Sequence, residues 1–417
     1  MTAMEGAARP AGGRVLLLVP ARTYRAADFL TAAAQVGADL VIGSDGALPL
    51  GGLPVVRADP GDPDRSASRL VAAAGQVDAV VAADTPMLAL AAAVAARLGL
   101  PHNPVEAVVA ATDKTQQRRR WADAGIAQPA FRIVPAAASE DSLRQAAARV
   151  GYPCVVKAVS LSASQGILRA DGPAAAVAAA GRIRQILATA GRPGNESLLI
   201  EEYVPGWELS IDGLLDGGDL TVTAVFDKPG TPEGPTFEET VLITPSRLPG
   251  SLLAAAVRTA GQAARALRLR YGPIHAELRI DDRRGQVRPV MLELAARSIG
   301  GLCSRALRFG GGQSLEELVL ASALGRRVSP RRLPGTSGVL MLPIERAGVL
   351  QAVEGRAEAA AVPGITGLTI TIPSGQPVHP LPEGDRYLGF VFAEGEDYQQ
   401  VERALANARQ RLRVVIH

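Results

Sequence analysis

The stretch IHAELRIDDRRGQVRPVMLELAAR, residues 274–297, reads as two strands joined at DDRRGQ. Apolar and polar residues alternate on both sides of that turn, the pattern of an antiparallel hairpin. Residues two apart on a strand share a face, so His275, Glu277 and Arg279 point one way, as do Glu293, Ala295 and Arg297 on the partner. The E-x15-E spacing across a tight turn sets Glu277 beside Glu293. Two carboxylates on one apolar sheet face repel unless a cation lies between them. Mg2+ fills that role with few protein carboxylates, its other positions going to phosphate oxygens and water. The alternative is a pair of acids bridged to neighbouring arginines.

Working outward, ELSIDGLLDGGDLTVTAVFDK (208–228) is a second hairpin with its turn at LDGGD. It follows the strand SLLIEEYV (197–204), whose Glu201 and Glu202 precede a chain turn at Pro205–Gly206. Upstream, GYPCVVKAVS (151–160) puts Lys157 in an apolar, strand-like run, and the small-residue loop SLSASQG (160–166) comes next. Of 44 Lys+Arg residues only Lys114, Lys157 and Lys228 are lysine. An ammonium beside a loop of small residues offers a compact cation and closely approaching backbone N–H groups, which suits phosphate. The competing reading is a solvent-exposed connection with a snorkelling lysine. Helices are expected over 113–125, 139–150, 173–190, 314–325 and 396–412.

Residues 14–103 alternate short apolar runs (RVLLLVP, ADLVIGSD, VDAVVAAD) with alanine-rich helical stretches (TYRAADFLTAAAQVG, TPMLALAAAVAARLGL). That order predicts a doubly wound α/β layer. The first strand is followed by no GxGxxG, which argues against a dinucleotide site there. A disordered tail is expected over 1–13, and the last 80 or so residues hold short strands (GVLMLPI, GLTITIP, YLGFVFA) before the final helix. Net charge is +3 with basic and acidic residues interspersed, so no nucleic-acid stripe stands out. The apolar fraction is largely alanine and no run reaches the roughly 20 residues a membrane span needs. Cys154 and Cys303 lie far apart and are expected as buried thiols in a reducing cytoplasm.

Taken together, Lys114 at a helix start, Lys157 before its loop, EEYV…E and the E…E-x-x-x-R hairpin resemble, in that order, the ATP-grasp superfamily. Within it, VMLELAARSIGGLCSRALRFG and FEETVLITPSRLP resemble the carboxylate–amine ligases, including L-amino-acid ligases and bacilysin-synthetase-like dipeptide ligases. The resemblance implies an α/β chain (α+β in the ATP-clamping part): a Rossmann-like N-terminal domain over 14–103, an ATP-grasp domain over 104–332 with a small lid at about 125–203, and a small C-terminal α+β domain over 333–417. It implies ATP and Mg2+ as cofactors, with Mn2+ as a substitute. Lys114 and Lys157 would contact the α- and β-phosphates, and Ser162, Ser164, Gln165 and Gly166 would close over the triphosphate. Backbone groups of Glu201, Glu202, Tyr203 and Val204 would read adenine, and Glu208 would take the ribose hydroxyls. Glu277 and Glu293 would hold the metal, and Lys228 would be a third phosphate-contacting lysine. Arg297 would hold an acyl phosphate or carboxylate, with Glu239, His275, Gly300 and Gly301 on the substrate side.

The chain departs from that pattern in three places. Ala295 stands where a metal-binding asparagine is usual, Ala163 and Gln165 where relatives carry glycine and arginine, and Leu242 where dipeptide-ligase relatives carry histidine after the FxET acid. The last change implies a more apolar substrate pocket. The implied reaction joins a small-molecule carboxylate to an amine through an acyl phosphate, in a cytoplasmic enzyme, by analogy a homodimer. A bicarbonate-activating ATP-grasp enzyme and an inactive nucleotide-binding regulator are the alternatives.

Overall fold

The computed structural model describes residues 12–417 except 49–52, 193, 231–232, 284 and 286. Most of the expected N-terminal tail therefore lies outside the described residues. The first sheet is formed by β1 (Arg14–Leu18), β2 (Asp39–Ser44), β3 (Val55–Arg57) and β4 (Ala79–Ala82), all parallel in the order β3-β2-β1-β4. Leu16, Leu17 and Leu18 of β1 are fully buried, so both faces must be covered. Helices α1 (Ala26–Val36), α2 (Pro63–Ala74) and α3 (Leu88–Arg97) cover them. Two short helices follow, α4 (Val105–Thr112) and α5 (Lys114–Asp123). Asp113 caps α5 by accepting from the backbone N–H groups of Thr115 and Gln116, which fixes Lys114 as its first residue.

A four-stranded antiparallel sheet comes next: β5 (Phe131–Val134), β6 (Cys154–Ala158), β7 (Ile167–Ala170) and β8 (Leu198–Glu202), in the order β5-β8-β6-β7. Helices α6 (Glu140–Val150) and α7 (Pro173–Thr189) pack on one face around Leu143, Ile183, Val156 and Ile200. The other face of β6 and β8 carries Lys157 and Glu201.

The largest sheet has eight antiparallel strands. It takes β9 (Trp207–Asp216), β10 (Asp219–Asp227), β11 (Val241–Thr244), β12 (Gly272–Asp281), β13 (Arg288–Ala295) and β14 (Thr336–Leu342). After β15 (Gly348–Glu354) the chain adds β16 (Ile365–Ile370), then β17 (Pro377–Val378), β18 (Gly389–Gly395) and β19 (Arg413–Ile416). The order is β13-β12-β9-β10-β11-β14-β18-β16, with β17-β15-β19 as a separate small sheet. The LDGGD turn leaves Gly217–Gly218 between β9 and β10, as expected. Helices α8 (Gly250–Ala266), α9 (Leu315–Ala323), α10 (Arg356–Ala360) and α11 (Tyr398–Arg411) complete the chain. Neither α8 nor β5 is among the elements expected from the sequence. α8 packs through Ala256, Ala260, Ala263 and Ala264 and accepts, at Ala263 O, a bond from the Trp121 indole. Both cysteines are buried and unpaired, and among the described residues no helix is long and apolar enough to cross a membrane.

One buried cation ties the first sheet to the large one. Arg25, 1% exposed, donates to Ala83 O (2.8 Å) and Ser298 Oγ (2.6 Å) and lies 3.4 Å from Glu316. Glu316 in turn accepts from Ser304 Oγ. The turn that carries Arg297, Gly300 and Gly301 is thereby held against the β1 and β4 ends.

Candidate active site

A cavity of about 1640 Å3 opens where the three large bodies meet. It runs from the four-stranded sheet, across the face of β9, β12 and β13, to the C-terminal ends of β1 and β4. His275, Glu277, Arg279, Glu293, Ala295 and Arg297 all line it, as the period-two reading of 274–297 requires. Glu277 stands directly opposite Glu293, and a bulge between Glu277 and Leu278 leaves Leu292 as the extra residue on β13. The two carboxylates are paired, with lysines and a histidine rather than the arginines of the alternative reading: Glu293 lies 3.4 Å from Lys114 Nζ, and Glu277 lies 3.4 Å from both Lys228 Nζ and His275 Nε2. Their hard oxygen donors and shared face suit a divalent cation all the same.

The lysines occupy three different settings. Lys114 Nζ also donates to Leu161 O of the small-residue loop (2.6 Å), bridging that loop to Glu293. Lys157 pairs with Glu201 (2.6 Å), which lies between it and Arg118 (2.5 Å). Burial alone would raise the Glu201 carboxyl; Arg118 and Lys157 reverse that and hold it at about 2. Lys228 is the exception to the expected arrangement. It does not line the cavity but sits beneath its wall, 3.1 Å from Glu208 and bonded to Glu239. The oxygens of Glu208, Glu239 and Glu277 converge within 4.8 Å of one another, around that ammonium. Burial would lower the Lys228 pKa, yet Glu239, Glu277 and Glu208 raise it well above the ordinary lysine value. Glu239 is pushed up by burial, and against the pull of Lys228 the charges of Glu277 and Glu208 keep it raised.

Glu208 gives its second oxygen to Arg279 Nε (2.7 Å), and Arg279 Nη1 donates to Val204 O. His275 Nδ1 meets Asp212 at 3.1 Å. Burial would lower the His275 pKa, but Asp212 and Glu277 raise it to about 9. Asp212 also accepts from Ile299 N (2.9 Å), fixing the turn after β13. Arg297 donates to Thr85 Oγ1 and Ser298 O and lies 3.4 Å from Asp84. Gly300 lines the cavity beside that guanidinium. Gly301 has φ +61, and a Cβ there would fall 2.7 Å from the Phe390 ring, so the turn admits only glycine without movement.

Along β8 and the connection after it, Glu201, Glu202, Tyr203 and Val204 all line the cavity. Glu202 pairs with Arg283 (3.1 Å). Gly206 makes the crossing to β9 possible: with φ +108, a Cβ would stand 2.2 Å from Ile280 O. Tyr203 stacks on Phe237 at 6.1 Å, and the Arg169 guanidinium lies 4.6 Å from the Tyr203 ring, an apolar-and-cation wall that sequence reading missed. Arg118 was missed too, being one of three consecutive arginines with nothing local to single it out.

The loop 160–166 is tied at both ends. Glu196 accepts from Val159 N, Ser160 N and Ser160 Oγ. Ser162, Ser164 and Gln165 line the cavity, with Ala163 and Ser164 in the left-handed region at φ 55 and 58. Gly166 does not line it; its N–H donates to Pro382 O, and Gln165 Nε2 donates to Glu383 O (2.8 Å). Arg182 of α7 grips the Glu383 carboxylate with two bonds, 2.7 and 2.9 Å. Residues more than 200 positions away thus hold the loop over the cavity. Glu383→Ala is expected to speed amide hydrogen exchange across 160–166 by up to about fivefold, the range of a half-exposed ion pair. Unchanged exchange in the variant would remove this strap.

The fold and parts of the sequence are similar to known proteins. The family model of the ATP-grasp domain matches residues 150–306, and that of L-amino acid ligase C-terminal domain 2 matches residues 340–417. The structure of L-amino acid ligase from Bacillus licheniformis superposes with a TM-score of 0.80 at 23% identity, covering 96% of this chain and 98% of that one. A carboxyaminoimidazole ribonucleotide synthase from Aspergillus clavatus, complexed with ATP, superposes at 0.73 with 13% identity over 96% and 100%. Among curated proteins, carnosine synthase 1 of Gallus gallus is 31% identical over 227 residues, 50% of this chain and 24% of that protein. D-alanine–D-alanine ligase of Gloeobacter violaceus is 29% identical over 208 residues, 47% and 63% of the two chains. The chain therefore spans less than two thirds of the length of these curated relatives. These likenesses show the ATP-grasp fold. Within that fold, residues 150–306 resemble the ATP-grasp domain and residues 340–417 the L-amino acid ligase C-terminal domain 2.

Proposed function

We propose that this chain is an ATP-dependent carboxylate–amine ligase that forms an amide or peptide bond through an acyl phosphate, releasing ADP and phosphate. The observation that carries this reading is the single cavity in which Glu277 faces Glu293, with Lys114 and Lys157 on the adjoining bodies and Arg297 at the far side. The names of its relatives agree: each of the L-amino acid, carnosine and D-alanyl enzymes joins an acid to an amine.

In this reading ATP lies between the four-stranded sheet and the β12–β13 face, with adenine at Glu201–Val204 against the Tyr203–Phe237 wall. Lys114 and Lys157 neutralise phosphate charge, and the backbone of 162–165 closes over the triphosphate. Glu277 and Glu293 are the residues that would hold Mg2+, or Mn2+ in its place, and the bound ion supplies charge stabilisation at the transferring phosphoryl group. Phosphoryl transfer needs positioning and electrostatics more than covalent help. Lys228 and Arg279 supply neither contact; they balance the buried carboxylates of Glu208, Glu239 and Glu277 and keep that wall from repelling itself apart. Arg297, anchored by Thr85 and Asp84, meets the carboxylate or acyl phosphate, and the closed 160–166 loop keeps water from hydrolysing it.

The test is ADP release with Mg2+ across panels of amino acids and amines. ADP is expected to form in step with an amide product, and only when an acid and an amine are both present. Release driven by bicarbonate in place of the organic acid would transfer the chain to the bicarbonate-activating group. Tight ATP binding with no turnover in any combination would make it a nucleotide-binding regulator.

A further inference from the structure

One buried acid joins two ends of the site without lining the cavity. Asp212, in the middle of β9 and 1% exposed, stands opposite His275 of β12 in the sheet register. Its two oxygens go to different places. Oδ2 meets His275 Nδ1 at 3.1 Å, and Oδ1 accepts from Ile299 N at 2.9 Å. The far nitrogen of the same imidazole, Nε2, lies 3.4 Å from Glu277. Ile299 is two residues beyond Arg297, in the turn that also carries Gly300 and Gly301. Ser210, directly opposite Glu277 on β9, does not hold that carboxylate: it is fully buried, and its hydroxyl meets no hydrogen-bond partner among the described residues. On the other side of β9, Asp212 stands opposite Ala224 of β10, whose side chain offers it nothing polar.

We propose that Asp212 is a positioning residue that sets both halves of the reaction at once. Through His275 it aims the Glu277 carboxylate at the metal position, and through Ile299 N it sets the turn that carries Arg297. The proposal rests on the ligase reading and adds to it a residue that touches neither ATP nor substrate. A carboxylate that is to hold a cation is oriented by the hydrogen bonds of its outer partners. His275 is such a partner for Glu277, and a ring held at Nδ1 keeps Nε2 in place. Only a carboxylate serves at position 212, since two donors, the imidazole and the Ile299 N–H, converge on it. Asparagine has one acceptor oxygen, so its amide N–H groups would face one of those two donors. His275 and Ile299 lie 63 and 87 positions from Asp212, so the link forms only when β9, β12 and the turn after β13 are packed together.

Asp212→Asn, which keeps the shape of the side chain, tests this. Mn2+ affinity of the whole chain, saturated with a non-hydrolysable ATP analogue, is read from the electron paramagnetic resonance of the free ion and should fall about tenfold. In turnover with Mg2+, ADP release should outrun amide formation, because a turn set loose delays the amine while the acyl phosphate meets water. A residue that merely held the fold would move neither readout, since a smaller folded fraction changes neither a dissociation constant nor a product ratio. His275→Asn breaks the same chain one link further on, leaving a donor for Asp212 and nothing toward Glu277, and replaces Asp212→Asn if that variant does not fold. It should weaken Mn2+ by the same factor, and the double variant no further, because both changes break one chain. Unchanged Mn2+ affinity in the single variants, or losses that add in the double variant, overturns the positioning role. Weaker Mn2+ binding in Asp212→Asn, with no amide formed by the wild type from any acid and amine, would leave the chain from Asp212 to Glu277 standing and bring down the ligase reading. Wild-type Mn2+ affinity in that variant, with ADP and amide still formed in step, would do the reverse.

Discussion

Replacing Glu293 by glutamine is expected to lower ATP-dependent turnover about 10³-fold, the scale on which charge stabilisation at a transferring group is lost, while leaving the thermal midpoint nearly unchanged. The two halves of that expectation have separate physical causes. Glu293 is about one-third exposed, and Lys114 at 3.4 Å is its ion-pair partner. Only the Lys114 end of that pair is buried, and Lys114 keeps its bond to Leu161 O in the variant, so losing a pair whose other end is part-exposed costs folding little. Glutamine preserves the shape of the side chain on a preformed sheet face and removes one of the two charges that face each other there. Turnover measured over a Mg2+ titration, beside thermal unfolding, checks both halves. Wild-type turnover at ordinary Mg2+ would show that Glu293 takes no part in the reaction.

Glu201→Gln should do the opposite: its first effect is on stability. Glu201 is 1% exposed and lies between the Arg118 guanidinium and the Lys157 ammonium. Removing the carboxylate charge leaves two cations with no counter-charge between them, and breaking a buried pair in this way costs about 3–5 kcal/mol. The urea midpoint should fall accordingly. The pH dependence has a definite sign. The carboxyl ionises at about 2 in the folded chain against an ordinary value of 4.5. The folded state thus binds its proton less readily, and the stabilisation is fully present above about pH 4.5 and lost as pH falls toward 2. The gap between wild type and variant should therefore be widest at neutral pH and narrow through that window. A gap that stays constant from pH 7 to pH 3 would mean that Glu201 is not held as an anion.

The part of the site that could be read from the sequence is the part set by strand period and turns. The alternation in 274–297 placed His275, Glu277, Arg279, Glu293, Ala295 and Arg297 on one face, and the structure lines the cavity with all six. LDGGD marked its hairpin because glycine takes positive φ freely, and both turn positions, Gly217 and Gly218, have it. Helix α8 went unread although its buried positions, Ala256, Ala260, Ala263 and Ala264, keep helical spacing. Alanines give too little contrast with their neighbours to mark a face. The four residues of β5 are too short a run to show a period. Gln165 offers no local sign that it bonds to Glu383, since the strap is more than 200 residues away.

Lys228 shows the division most clearly. Its neighbours in sequence put it at the end of a strand, after FD, and that is where β10 ends. Nothing in those neighbours says that it will lie under the cavity wall among Glu208, Glu239 and Glu277 rather than reach into the cavity. The sequence by itself determined which side chains share a face and where strands turn, because those follow from covalent geometry over a few residues. The tertiary structure alone decided which charge meets which. With 44 Lys+Arg and 41 Asp+Glu in the chain, a great many pairings are open to the sequence. Only the setting of Arg118 on α5 against Glu201 on β8, and of β9 between β10 and β12, selects the few that are buried and therefore strong.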